Sequence, residues 1–227
     1  MTKHVCFAVV VVATVGMVGL DMPLVVNQLV TGPSSHVRVS NTGQHVISAW
    51  SFAITSTDGV VTHRVVHTAD AYLSEITHGL PQSSTLLERI PPGDSREFPL
   101  DPLPQGAAID VIAVVNDDGS AIGDEGIISE IFARRVKERD ALRSVVETFT
   151  EVLQTQHGTA ALAALRDRFT ALLQRDESIP CRAALDTVQT YPRTASPKQI
   201  DQSLNTYAAF VTREYDLAVK QSVRKPI

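Results

Sequence analysis

Two histidines and an aspartate, His63, His67 and Asp70, follow the Asp58-Gly59 turn signal in a run rich in Val and Thr. Imidazole and carboxylate groups that converge can hold a transition metal or move protons near neutral pH. On an extended strand the even separation of 63 and 67 puts both rings on one face, but four residues of strand span about 13 Å. One ion is not shared over that distance unless the strand bends. A zinc site would also need His78 or a neighbouring strand to supply a further ligand. The group therefore reads first as an exposed polar strand face. A metal-dependent enzyme using His63, His67 and Asp70 is the alternative.

A second oxygen-rich group is Asn116-Asp117-Asp118-Gly119-Ser120 with Asp124 and Glu125. Asp117, Asp118 and Asp124 are the candidate calcium ligands, but the alternating Asp-x-Asp-x-Asp-Gly order and the bidentate Glu at position twelve are missing. Asp118-Gly119 is more simply a turn, and Asp124 more simply a helix cap. The third group is basic: Arg134, Arg135, Lys137, Arg139 and Arg143, a face that could meet phosphate headgroups or an acidic surface. Glu130, Glu138, Asp140 and Glu147 interleave with it at helical spacing, so it reads mainly as a salt-bridged solvent face. With a formal charge of −5, nucleic acid is not an expected partner. There is no Gly-x-Ser-x-Gly elbow, no phosphate or dinucleotide glycine loop, no His-Glu-x-x-His and no Cys-x-x-Cys. No cofactor and no catalytic residue are expected.

The elements that would position these groups divide near residue 124. From Thr31 to Gly123 there are four basic residues against ten acidic; from Asp124 onward there are 15 against 14. The first part carries Val, Ile, Thr and aromatic runs punctuated by Pro and Gly about every ten residues, the pattern of an antiparallel sandwich over 31–123. Val46 to Thr57 is the longest strand. If Ile47, Ala49, Ser51 and Ala53 face one side, Val46, Trp50, Phe52 and Ile54 face the other and carry far more area for a core. Val60–Thr68, Leu86–Ile90, Ser95–Leu100 and Ala108–Asn116 supply further strands.

The second part is helical. Ile127, Ile128, Ile131, Phe132, Val136, Leu142, Val145, Val146, Phe149, Val152 and Leu153 form one stripe over about 124–156. Further helices are expected at 159–176, closed by Pro180, at 182–190, and at 197–222, where Ser196, Pro197 and Gln199 make a capping-box pattern. Three to four helices suit a small bundle, though the stripes equally suit a coiled-coil contact with another subunit. The fold class is α+β, a sandwich followed by helices.

At the N-terminus, Val5 to Leu20 is uncharged and apolar, with Lys3 before it and Asp21 after it. Residues 1–22 read as a signal peptide, favoured over a retained membrane anchor. Membrane contact would come only through 5–20 if that segment stays uncleaved, and the remainder would lie outside the cytoplasm, in the periplasm or secreted. Cleavage removes Cys6 and leaves Cys181 as a half-buried, unpaired thiol.

Asn41, the strand Ile47-Ser48-Ala49-Trp50, the turn Pro92-Gly93-Asp94-Ser95-Arg96-Glu97-Phe98, and Asp118-Gly119-Ser120 ahead of Ile131-Phe132-Ala133-Arg134-Arg135 together form a pattern. It resembles uncharacterised exported bacterial proteins carrying an immunoglobulin-like domain of the cell-adhesion-related or FxLYD type, over roughly 37–139. The resemblance implies a fold and a compartment, and no catalytic residues. The expected function is a non-catalytic exported binding or structural component of the bacterial cell envelope. It would act through sandwich-surface contacts and a helical docking or oligomerisation surface, toward an unidentified envelope protein or a second copy.

Overall fold

Trp50, Phe52 and Ile54 are buried together with Ile47, Leu24, Val37, Val39, Ile90 and Val114 in one apolar cluster, and this cluster is what the strands enclose. A computed structural model describes residues 22–31, 34–58, 60–77, 88–100, 107–175, 177–192 and 194–225. The strands are β1 (Leu24–Thr31), β2 (Ser34–Asn41), β3 (Ile47–Asp58), β4 (Val61–Asp70), β5 (Ser95–Leu100), β6 (Ala108–Asn116) and β7 (Ala121–Gly123). The helices are α1 (Ala71–Thr77), α2 (Glu125–Thr155), α3 (Gly158–Leu173), α4 (Ile179–Gln189) and α5 (Pro197–Gln221). All strand pairs are antiparallel. One sheet has the order β1-β2-β5 and the other β4-β3-β6-β7, the strand segregation of an immunoglobulin-like sandwich. The fold class is thus α+β, as the patterning implies.

Compactness divides the chain into two units. The first holds the described residues of Met1–Tyr72, Leu87–Ile131 and Arg224–Ile227, and the second those of Leu73–Leu86 and Phe132–Val223.

In the sandwich unit, strict alternation fails along β3 for a physical reason. Its register against β6 slips between Ile47 and Ala49 and again between Ser51 and Phe52. A bulge re-aims the side chains that follow it, so Ile47 joins the same cluster as Trp50 although their separation is odd. Ala49, Ser51 and Ala53 are buried as well, so β3 is buried on both faces there. Asn41 ties two turns together. Its Nδ2 donates to the His45 and Ile90 carbonyls at 2.8 Å each, and its Oδ1 accepts from Gly43 N at 2.9 Å. Gly93, at φ +81°, closes the second of those turns. Gly123 sits at φ +124°, and a Cβ there would lie 2.2 Å from the Ile112 carbonyl oxygen. Only glycine lets β7 end against β6 and hand the chain to α2.

Several boundaries differ from the sequence expectation. The sandwich starts at Leu24 rather than 31, because β1 pairs along β2 from Leu24↔Asn41 to Thr31↔Ser34. The expected strand over 86–90 is reduced, among the described residues, to a single bridge between Ile90 and Ile47. Residues 86 and 87 lie outside the described residues, as do His78, Cys6 and the export segment through residue 21. Helix α1 was not anticipated. Pro180 does not close the preceding helix. It occupies the first turn of α4, which starts at Ile179, three residues upstream of the expected 182, and its missing N–H costs nothing there.

In the helical unit the apolar stripes are consumed within the chain. Phe149 of α2 meets Phe169 of α3 at 5.3 Å between ring centroids and Tyr207 of α5 at 5.6 Å. Leu162 and Leu165 of α3, Val188 of α4 and Leu204 and Val211 of α5 are buried. The stripes therefore make a bundle, and the extended coiled coil is not formed. Ser196 caps α5 as expected, with the reciprocal bonds to Gln199 both present.

Glu214 of α5 is held above the ordinary carboxylate range, first by burial and then by the neighbouring charge of Glu75, with Arg213 opposing. A raised folded pKa means that stability is lost as pH rises from about 4.5 through the folded value. Glu214→Gln is expected to raise the melting temperature at pH 7 by about 1–2 °C. The gain should shrink to nothing below pH 4.5, which melting curves across pH would check.

Candidate functional site

Strand β4 pairs with β3 through the register Phe52↔His67, Ser56↔His63 and Ala49↔Asp70. His63 is exposed at the outer half of the strand. The His67 ring stacks on Phe52 at 5.2 Å and 19°. Asp70 turns to the opposite face, is buried, and accepts the Tyr72 backbone N–H at 3.1 Å at the start of α1. The three side chains are not brought together, because His63 and His67 lie four residues apart on one face and Asp70, at odd spacing, lies on the other. Among the described residues no cluster of three or more His, Cys, Asp or Glu is arranged to hold a metal.

The oxygen-rich loop has its own partners. Asp118 Oδ1 accepts Ser120 N at 3.0 Å and Ser120 Oγ at 2.6 Å, and Asn116 Nδ2 donates to Ser120 Oγ at 2.9 Å. The other oxygen of Asp118 accepts Lys225 Nζ at 2.9 Å, while Lys225 N donates to the Gly119 carbonyl at 3.0 Å. Arg224 grips Glu125 with two guanidinium nitrogens, Nη2 to Oε2 at 2.7 Å and Nη1 to Oε1. Arg89 lies 3.6 Å from Asp117. Asp124 caps α2, its Oδ1 accepting from Ile127 N at 3.1 Å. The carboxylates that suggested calcium thus serve a turn, a helix cap and a latch for the end of the chain.

The Ser120 hydroxyl first, then Lys225, hold the Asp118 carboxyl well below the usual range. With a depressed folded pKa the contribution is present above the ordinary value of 3.8 and is lost as pH falls through the folded one. Lys225→Ala is expected to cost under about 1 kcal/mol, discounted for exposure and screening. That cost should be constant between pH 7 and pH 5 and diminish below about pH 4; urea titrations at the three values would check it.

The basic cluster is not one face. Arg134 is exposed, but Arg135 is fully buried; its Nη1 donates to the Gln221 carbonyl at 3.2 Å and to Gln221 Oε1 at 3.3 Å. Its guanidinium lies 5.6 Å from the centre of the Phe132 ring. Arg139 bonds Asp140 Oδ1 and reaches Ser222 Oγ at 3.4 Å, and Arg143 bonds the same Asp140 oxygen. Lys137 lines a broad groove of about 460 Å³ with Leu172, Ser178 and Cys181. Arg135 and Arg139 therefore meet the C-terminal end of α5, where cations complement the helix dipole and bond its last carbonyls. The expected salt-bridged solvent face holds at Arg139 and Arg143, which pair with Asp140, but Arg135 departs from it as a buried cap on α5. The signal was legible: Arg135 follows Phe132 by three residues and precedes Leu142 by seven, squarely on the α2 apolar stripe.

Sequence reasoning did not find the opening beside β4. β4 and β5 are edges of the two different sheets. A cavity of about 200 Å³ lies between them, lined by Val37, Trp50, Phe52, His67, Ala69 and Phe98 among others. Trp50 packs on Phe98 at 5.6 Å, and its Nε1, though buried, has no hydrogen-bond partner among the described residues. Beyond the cavity β4 is exposed on both faces: Val65 is 52% and Val66 37% accessible. Among the described residues no helix is long and apolar enough to cross a membrane. No family model, curated protein or solved structure matches this chain.

Proposed function

We propose that the chain is a non-catalytic exported binding or structural component of the bacterial cell envelope that makes contact through its sandwich, at strand β4. The observation that carries this reading is the β4 edge, which bears exposed valines on both faces beside a cavity at the sandwich margin. A row of unpaired backbone groups flanked by β-branched side chains is a template for another strand. The apolar N-terminal segment at 5–20 supports the exported compartment. The immunoglobulin-like strand order agrees with the resemblance to exported modules. The bundle keeps its stripes inside, which moves the contact surface from the helices to the sheet.

The test is a photo-reactive residue placed at Val65, or at exposed Ala171 of α3, in the full-length chain expressed in a bacterial host with fractionation. The expected result is recovery outside the cytoplasm with a discrete adduct from position 65 and none from 171. Recovery in the cytoplasm, or adducts from 171 alone, would overturn the reading.

A further inference from the structure

Resting on that binding reading, we propose that the β4 edge takes up an extended acidic segment of a partner protein as an added strand, with one apolar side chain of that segment entering the cavity between β4 and β5. Among the described residues β4 pairs only with β3, so its outer edge offers a full row of backbone donors and acceptors. The cavity, about 200 Å³, is smaller than the roughly 300–1,000 Å³ of small-molecule sites and suits a single side chain. Trp50 at its wall is fully buried, with an indole N–H that has no acceptor among the described residues. Buried orphan donors are rare, and this one marks the cavity wall with a group whose resonance responds to an entering side chain.

Charge selects the occupant. From Val61 to Ala69 the strand carries His63, Arg64 and His67 and no carboxylate, within a first half that has ten acidic residues against four basic. A second copy of β4 paired antiparallel about Val65 and Val66 would set Arg64 against His67. Neither strand then offers Arg64 a carboxylate, which an acidic segment supplies. His67 stacks on core Phe52, while Thr68 bonds Ser51 at 2.7 Å on the other face, the face Arg64 shares. The occupant therefore alternates, apolar toward the cavity and acidic toward Arg64.

The probe is a short synthetic peptide alternating Leu or Val with Glu, compared with its Lys-for-Glu counterpart. The full chain contains one tryptophan, so the indole N–H resonance reports on the cavity alone. The expected results are an indole shift with the Glu peptide, about fivefold weaker binding of that peptide to Arg64→Glu, and a gain for the Lys peptide. Ala69→Leu, which fills the cavity, should remove the shift; if that variant melts early, the wild-type shift and the Arg64→Glu swap carry the test. An unchanged indole resonance, or equal affinity for the two peptides, would overturn the proposal. A crosslink at Val65 without peptide binding would reject the acidic strand and leave the binding reading standing. No crosslink at Val65 would reject that reading itself.

Discussion

Arg135→Ala is expected to lower the unfolding free energy by about 2–4 kcal/mol, the loss of a large buried side chain plus a helix-end carbonyl left without its donor. The side chain is wholly inaccessible, bonds Gln221 twice and lies against Phe132. Arg134→Ala, one residue earlier and exposed, should stay within about 0.5 kcal/mol of the parent. Arg135→Met keeps most of the volume but not the cap, and should fall between the two. Urea titrations of the three variants would decide it. Equal, small effects at 134 and 135 would return Arg135 to the surface, and with it the basic face suggested by the clustering of charges.

Trp50→Ala should cost about 3–5 kcal/mol, enough to unfold much of a sandwich whose total stability is of the order of 5–15 kcal/mol. Trp50 is fully buried and touches Phe98 across the two sheets. Trp50→Phe should be far milder, about 1 kcal/mol or less. The smaller ring gives up apolar area, but among the described residues the indole N–H makes no bond to lose, and removing an orphaned buried donor offsets part of the change. Circular dichroism melts of both variants separate the area from the hydrogen bond. A Trp50→Phe variant as damaged as Trp50→Ala would mean that the N–H is satisfied after all.

These two residues also show how unevenly the molecule was legible. Trp50 was identifiable because three large apolar residues recur at alternate positions, and area alone chooses the face that is buried. The core position of Ile47 was not, because it depends on register slips against β6, a property of two strands some 60 residues apart in sequence rather than of either alone. Asp124 and Ser196 were legible as caps, since capping is settled within three residues. The calcium-like loop was only half legible. Its turn is local, but the cation that engages Asp118 arrives from Lys225, 107 residues later. Arg135 could have been read from its place on the stripe, yet charge argued the other way. Its partner Gln221 is 86 residues distant.

The sequence by itself determined that a run of strands precedes a run of helices, and where the helix caps fall, because hydrophobic period, turn residues and caps act over a few residues. Tertiary structure alone decided which strands became edges, that the bundle would consume its own stripes, and that a buried arginine would end a helix. Those outcomes depend on which surfaces meet, and pairing between distant segments is set by burial and complementarity across the whole fold rather than by local spacing. The open β4 edge and its cavity belong to this second class: no spacing within β4 marks it as unpaired, and only the strand order of the two sheets leaves it so.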